Sequence, residues 1–508
     1  MKIRRIVASA TVALSFAAST ALADVVPASL FTDHMVLQRE KPVAVWGTAD
    51  AGEKVIVTFA GQTKETVASD AGKWSVTLDA LKMSKDGATL TITGKNTVTL
   101  SDVLVGEVWL CSGQSNMEWR LAIARDGEKE VAAANHPAIR LFNVSPKKKP
   151  ATEPQSSVDA KWEACTPESA KNFSAVGYFF GRMLHEKLDG VPIGLINSSW
   201  GGMPAEAFTP VAKLDKPEFV PVMKQWEKFI ADNPEAIKKW EADRAEWQKQ
   251  VEAAKAAGKE PPREPARPPG PNSPQRPGNL WNGMIHPLVP YGIRGVIWYQ
   301  GESNAPRAKE YGVLLPTMIE SWREAFGQGD FPFLVVQLAN YIPTQKPEEM
   351  GRWAVLRESQ RQTALKTKNV GMAVIIDIGE PKDIHPKNKQ DVGARLARLA
   401  LVDTYGLKDL VKQGPTPVDV QYGSRVAIKF ADVGTGMKVK GDSLAGFEVA
   451  GEDGVYKPAE AKLDGDVVYV GSAEVPAPVA VRYAWLDNPT ATLFNSDDLP
   501  ATPFELRK

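Results

Sequence analysis

A serine hydroxyl attacks at neutral pH only when a neighbouring base takes its proton, and that base is most often a histidine. The chain has five histidines in 508 residues, so the search is short. Ser115 lies in Cys111-Ser112-Gly113-Gln114-Ser115-Asn116-Met117, after the apolar run Glu107–Leu110 and before the helix-compatible stretch Glu118–Arg125. A serine at a strand-to-helix turn exposes its hydroxyl beside free N–H groups and the positive end of a helix, which favour a developing oxyanion. The same position also suits a plain helix cap, the commoner use of such a serine.

His34 falls in an N-terminal β region, His136 in a loop, and His185 inside a helical segment from Val176 to Leu188. His286, in Trp281-Asn282-Gly283-Met284-Ile285-His286-Pro287, precedes a strand and is the one serious rival. His385 follows a strand, in Asp377-Ile378-Gly379-Glu380-Pro381-Lys382-Asp383-Ile384-His385-Pro386, with an aspartate two residues before it. It is the expected base. Two further blocks follow strand-like runs. Asn197-Ser198-Ser199-Trp200-Gly201-Gly202-Met203 offers glycines that let a backbone N–H approach a ligand. Trp298-Tyr299-Gln300-Gly301-Glu302-Ser303-Asn304 offers two side-chain amides. Each part alone is ordinary; on successive strand ends they form a hydrolase constellation. Gly441-Asp442-Ser443-Leu444 spells a motif used to label lipolytic enzymes, but its β-rich surroundings, with no helix following, make it a turn.

These residues need an open α/β sheet, in which ligands sit beyond the carboxyl ends of the strands. From residue 106 to 408 apolar runs alternate with helical segments: Glu107–Leu110, Ile193–Asn197, Gly295–Tyr299, Phe333–Gln337 and Met372–Asp377. Runs of this kind predict a parallel sheet covered on both faces. An insertion over 209–278 interrupts the domain. Its Lys-, Glu-, Ala- and Trp-rich part, Glu218 to Ala257, predicts one or two exposed helices. Pro261 to Pro277 has eight prolines in seventeen residues, which precludes regular helix. Short β-rich runs separated by turns predict a sandwich-like β domain over 24–105 and a second β domain over 409–508. Residues 1–23, with Lys2, Arg4 and Arg5, an apolar stretch and Ala21-Leu22-Ala23, read as a cleaved export signal. The expected location is therefore periplasmic or extracellular.

Composition removes several alternatives. Lys+Arg and Asp+Glu both number 61, and the chain left after export is slightly acidic, so a polyanion such as nucleic acid is not an expected partner. Two cysteines cannot build a multi-Cys zinc site, no His/Asp/Glu cluster has ligand spacing, and neither metal nor cofactor is expected. No later segment is apolar over the length needed to span a bilayer. Export permits a disulfide between Cys111 and Cys165; two buried thiols are the alternative.

In their order, Gly113-Gln114-Ser115-Asn116-Met117, Ser199-Trp200-Gly201-Gly202, Trp298 to Asn304 and Asp383-Ile384-His385-Pro386 resemble the blocks of bacterial sialate O-acetylesterases of the SGNH hydrolase superfamily. The resemblance spans nearly the whole chain after residue 23, the proline-rich insertion excepted. It implies a flavodoxin-like three-layer sheet and metal-free ester hydrolysis. Ser115 would be the nucleophile and His385 the base. The N–H groups of Ser115 and Gly201 would hold the oxyanion, helped by the Gln300 amide, with Asn304 as a further contributor. Two positions depart from the pattern. The superfamily's aspartate stands three residues before its histidine, where this chain has Lys382. Asp383 could orient His385 only if the backbone through Ile384 is extended; Asp377 is the fallback, and a Ser–His dyad is the third option. Met203 replaces a frequent threonine. The implied substrate is an acetylated sugar. A sialic acid carboxylate would favour an arginine in the cleft, with Arg120 and Arg357 as candidates. A neutral plant or algal polysaccharide of the acetylxylan type needs none. A non-catalytic carbohydrate-binding protein is the alternative from a different class.

Overall fold

The structure, a computed structural model, describes residues 24–342 and 351–508; the expected export segment lies outside the described residues. Its spine is a seventeen-residue strand, β1 (Thr97–Gly113). The first half of β1 pairs with strands of the N-terminal β region, antiparallel with Ser84–Thr93 and parallel with Val36–Gln38. The second half is a central strand of the α/β sheet. The change of sequence character at Gly106 thus falls inside one continuous strand. A second N-terminal sheet of three strands includes Val43–Thr48 and Lys73–Leu78. Both halves of β1 are also tied by charge: the fully buried Glu107 carboxylate accepts from Gln38, Arg39 and Arg294. A buried carboxylate is tolerable only with such partners.

Six further strands complete the α/β sheet: β2 (His136–Asn143), β3 (Trp162–Cys165), β4 (Ile193–Ser199), β5 (Gly295–Tyr299), β6 (Phe333–Val336) and β7 (Val370–Ala373). They lie in the order β3-β2-β4-β1-β5-β6-β7, parallel except for β3 at the edge. Without β2 and β3, the remaining five follow the flavodoxin-like order 2-1-3-4-5, whose switch point lies between β1 and β5. The last strand is shorter than expected, ending at Ala373, because Val374, Ile375 and Ile376 leave the sheet as buried, non-strand chain. Apolar runs mark burial, and burial does not require a ladder. His136 begins β2 instead of lying in a loop.

Alternate residues of the strands face opposite layers, as the pleat requires. Trp109, Cys111, Ile297 and Tyr299 pack in one core with helices α2 (Ala175–Lys187) and α6 (Lys389–Leu399). Val108, Leu110, Val296 and Trp298 pack in the other, with α4 (Ala308–Phe326) and α5 (Arg352–Lys366). This is the three-layer α/β arrangement that the sequence led us to expect. The insertion forms one 37-residue helix, α3 (Val220–Ala256), of which only Val222 and Trp226 are buried. Its far half is lined by the returning proline-rich chain: the Trp240 and Trp247 indoles donate to the carbonyls of Pro265 and Pro262 at 3.0 and 2.8 Å. Prolines lack the donor but keep the acceptor, so this contact needs no ladder. The C-terminal strands form two four-stranded sheets and a two-stranded one, and their core also takes in Met372, Val374 and Ile376. Gly441-Asp442-Ser443-Leu444 is a bend between two of these strands, with Gly441, Asp442 and Ser443 exposed. Among the described residues no helix is long and apolar enough to cross a membrane.

Candidate active site

β1 ends in a glycine that the geometry requires. Gly113 has φ +136°, and a Cβ there would lie 2.2 Å from the Tyr299 carbonyl oxygen on β5. The chain then turns into the four-residue helix α1 (Ser115–Glu118), with Gln114 at its N-cap position. The cap reading of Ser115 does not hold, because the residue is the first of the helix and its hydroxyl points elsewhere. Ser115 Oγ and His385 Nε2 are 2.8 Å apart. The two residues are 270 positions apart in sequence, and the turn after β7 brings them together at the carboxyl edge of the sheet.

The other histidines are elsewhere. His34 pairs with Asp102, His185 Nδ1 faces the Val191 carbonyl, and His286 Nδ1 faces the Gln155 carbonyl at 2.8 Å. The rival is thereby engaged away from Ser115.

Asp383 is close to His385 without being hydrogen-bonded to its ring. Its Oδ1 is 3.8 Å from His385 Nδ1 and accepts instead from the His385 backbone N–H at 2.9 Å. The extended backbone that would align the two side chains is replaced by a turn that includes a bridge between Glu380 and Asp383. The carboxylate is 46% exposed and the imidazole 31%. Asp377 is taken by Arg395, which donates to both its oxygens at 2.6 and 2.7 Å. It is a structural ion pair. Burial first, then the Lys389 charge, hold the His385 imidazole below its ordinary value, while Asp383 pulls the other way. The Trp119 ring stacks on the imidazole, with centroids 5.2 Å apart and planes 18° from parallel.

Gly201 is the second glycine set by close approach, since a Cβ there would meet Ser115 Cβ at 3.1 Å. Its N–H donates to Glu118 Oε2 at 2.6 Å, and Lys148 pairs with the other oxygen of that carboxylate. Lys148 also sits 5.0 Å from the centre of the Trp200 ring. Gln300 and Asn304 lie behind this loop. Gln300, fully buried, donates to the Met203 carbonyl and to Asn304 Oδ1 at 3.3 and 2.7 Å. Asn304 accepts from the Ala205 N–H and donates to Glu206. Both amides therefore hold the backbone that follows Gly201: the Gln300 N–H groups are both engaged there, and Asn304 donates to Glu206. The expectation that they point at the reacting oxygen overlooked that an amide in a buried loop is first required to satisfy backbone groups.

Of the two candidate arginines only Arg120 keeps its fork free. Arg357 is fully buried and donates to the carbonyls of Leu486 and Asp487, and Arg120 is exposed and reaches Asn172 at 3.5 Å. Cys111 and Cys165 are both free and buried. Burial pushes the Cys165 thiol up to about 12 and Cys111 higher still, which keeps both as inert apolar groups.

Three residues at the site escaped the sequence reading. In the sequence Glu118 is a helix residue, Asn116 a letter of the serine block, and Lys389 one lysine among many. Asn116 Nδ2 donates to Glu302 Oε1 at 2.6 Å and to the Ile384 carbonyl at 3.0 Å, while its Oδ1 accepts from Lys389 Nζ at 2.5 Å. A lysine at the polar start of a helix looks solvated in sequence; that Lys389 is fully buried is a tertiary fact.

Residues 105–238 and 275–402 match the family model described as carbohydrate esterase, sialic acid-specific acetylesterase. The sialate O-acetylesterase of Mus musculus is 32% identical over 535 aligned positions, covering 94% of this chain and 93% of that protein. The human sialate O-acetylesterase is 33% identical, covering 78% of this chain and 74% of that protein. Among solved structures, a carbohydrate acetylesterase from Xanthomonas citri is 38% identical, with a TM-score of 0.79 and coverage of 96% of this chain and 100% of that one. A serine and a histidine in contact at the sheet's switch point agree with these likenesses, and the chain belongs to the sialic acid-specific acetylesterase family of carbohydrate esterases, as a carboxylic ester hydrolase.

Proposed function

We propose that the protein hydrolyses O-acetyl esters of sialic acids or related sugars through a serine acyl-enzyme, and that it does so outside the cytoplasm after removal of residues 1–23. The observation that carries the mechanism is the 2.8 Å contact between Ser115 Oγ and His385 Nε2. His385 takes the hydroxyl proton as Ser115 Oγ bonds to the acetyl carbon, and the carbonyl electrons move onto its oxygen. The oxyanion is held by the N–H groups of Ser115, at the start of α1, and of Gly201. Gly201 is engaged by Glu118 in the free enzyme, so the incoming oxygen displaces that carboxylate. Collapse expels the sugar alkoxide, which takes the proton from His385. Water then repeats the sequence on the acetyl-serine and releases acetate. Asp383 stabilises the transient imidazolium through space.

The catalytic pair is partly exposed, and the Trp119 ring stacks on its imidazole, an aromatic surface that suits packing against a sugar ring. A second reading, a neutral acetylated polysaccharide, draws on Arg357, which is fully buried and engaged by backbone carbonyls, so that no carboxylate clamp comes from it. Acetate release from acetylated sialosides and acetylated xylan, with Ser115→Ala as control, tests both. The proposal expects turnover that Ser115→Ala abolishes and an organophosphonate adduct on Ser115. Retained turnover in that variant overturns the serine mechanism. Faster release from xylan than from sialosides selects the second reading, and glycan binding without turnover by the intact protein would return it to a binding module.

A further inference from the structure

Asn116 follows the nucleophile directly, and Ile384 precedes the base directly. The hydrogen bond from Asn116 Nδ2 to the Ile384 carbonyl therefore links the two loops that meet at the Ser115–His385 contact. Asn116 is 1% exposed, and an amide can sit in either of two flipped orientations. Only one keeps this link. An ammonium can donate and never accept, so Lys389 Nζ at 2.5 Å requires Oδ1 on its side. Nδ2 then faces two acceptors, Glu302 Oε1 and the Ile384 carbonyl. The amide dipole lies between a buried cation and a buried carboxylate, aligned with both.

Lys389 is fully buried at the first position of α6, its Nζ 5.3 Å from the Tyr299 ring centre and 5.6 Å from that of Trp119, the ring that stacks on His385. Burying an ammonium is unfavourable, and a methionine would fill the same space without that cost. A buried ammonium at this place therefore needs partners, and Asn116 Oδ1 is one of them.

We propose that Lys389 is a positioning residue for the Ser115–His385 pair, orienting the Asn116 amide so that it ties the nucleophile turn to the histidine loop. The inference rests on the serine mechanism proposed above. The charge of Lys389 has a second effect. The charged groups that act on the His385 imidazole are Asp383 on its own loop and Lys389 on α6; Glu302 after β5 and Glu380 before the loop act on Lys389. Lys389 is the cation that acts on the imidazole, disfavouring its protonated form. Burial brings Lys389 itself down to about 7, against the pull of Glu302, Asp383 and Glu380; above that pH the neutral amine still donates to Oδ1, and the two acceptors, Glu302 and the Ile384 carbonyl, keep Nδ2 on their side.

The test compares Lys389→Met, Asn116→Ala and the double variant with the intact enzyme on an aryl acetate, across pH 5–9. Lys389→Met is expected to lower kcat about tenfold or more with KM held within about twofold, since the change is in alignment and not in binding. Its acidic limb moves to higher pH, because a neighbouring positive charge has gone. The double variant is no slower than the slower single one, because both act through one amide. A kcat within about twofold of the intact enzyme, an unmoved limb, or losses that multiply in the double variant overturn the proposal. Should Lys389→Met not fold, Asn116→Ala alone decides: an unchanged kcat refutes the link. Ser115→Ala separates the two readings, since activity in that variant removes the serine mechanism, whereas its inactivity beside an unaffected Lys389→Met removes only this inference.

Discussion

Asp383→Asn measures what the aspartate does for the base. The substitution keeps an oxygen that can accept the His385 backbone N–H, now at 2.9 Å from Oδ1, so the turn survives while the charge is lost. Oδ1 lies 3.8 Å from His385 Nδ1. At about that distance two unit charges interact by about 1 kcal/mol under water-like screening and about 4 kcal/mol at an effective dielectric of 20. With the carboxylate 46% and the imidazole 31% exposed, the pair lies toward the first limit. An effect of about 1–2 kcal/mol on the imidazolium-like transition state corresponds to a roughly 5- to 30-fold fall in kcat/KM. A buried aspartate hydrogen-bonded to the ring is worth about 10⁴-fold. The assay is aryl acetate hydrolysis at pH 8, where His385 is neutral in both proteins, at low and high salt. The defect should shrink in high salt, because a part-exposed pair is screened. A loss of about 10³-fold or more would mean that the carboxylate closes onto Nδ1 during turnover. An unchanged rate would mean a bare dyad. Either result refutes the through-space role. Asp377→Asn is the control: it breaks the Arg395 pair and lowers the melting temperature, while the folded enzyme keeps its rate.

The kcat/KM profile should lose its acidic limb at a pH below 6.5, since burial and Lys389 disfavour the protonated imidazole and activity falls only as pH drops through that lowered value; a midpoint at or above 6.5, read from initial rates, contradicts this. Glu118→Ala frees the Gly201 N–H from a charge-assisted bond of about 1.5–3 kcal/mol, and kcat/KM for small acetates should rise by roughly tenfold to a hundredfold; an equal or lower value means that Glu118 does not compete with the oxyanion. Titration with a thiol reagent should detect Cys111 and Cys165 only after unfolding, as both are buried and free; reaction of either in the native protein, or their absence in unfolded, unreduced protein, counts against this arrangement.

Much of the architecture was legible because it depends on local periodicity. Continuous apolar runs bounded by turns located β4, β5 and β6 nearly to the residue, since a strand covered on both faces has to be apolar throughout. Failure came where burial and pairing part company, at Val374–Ile376. The serine block, the glycine block and the histidine block were legible for a different reason: each needs particular residue types at a strand end, and the scarcity of histidine left few pairings.

Spacing along the chain could not say what each polar side chain would satisfy. Asp383 stands at a position from which an extended chain would reach the base, yet a turn spends its oxygen on a backbone N–H. Gln300 and Asn304 carry the donors an oxyanion needs, yet the loop behind Gly201 takes them. Hydrogen-bond partners are chosen among groups distant in sequence, and burial decides how strongly each choice binds. The sequence by itself determined which residues could do the chemistry, because nucleophile, base and close-approach glycine are matters of residue type. Only the tertiary structure decided that Ser115 meets His385, that Glu118 holds the Gly201 N–H, and that Lys389 stands buried behind them, because those are distances between segments that only the folded sheet brings together.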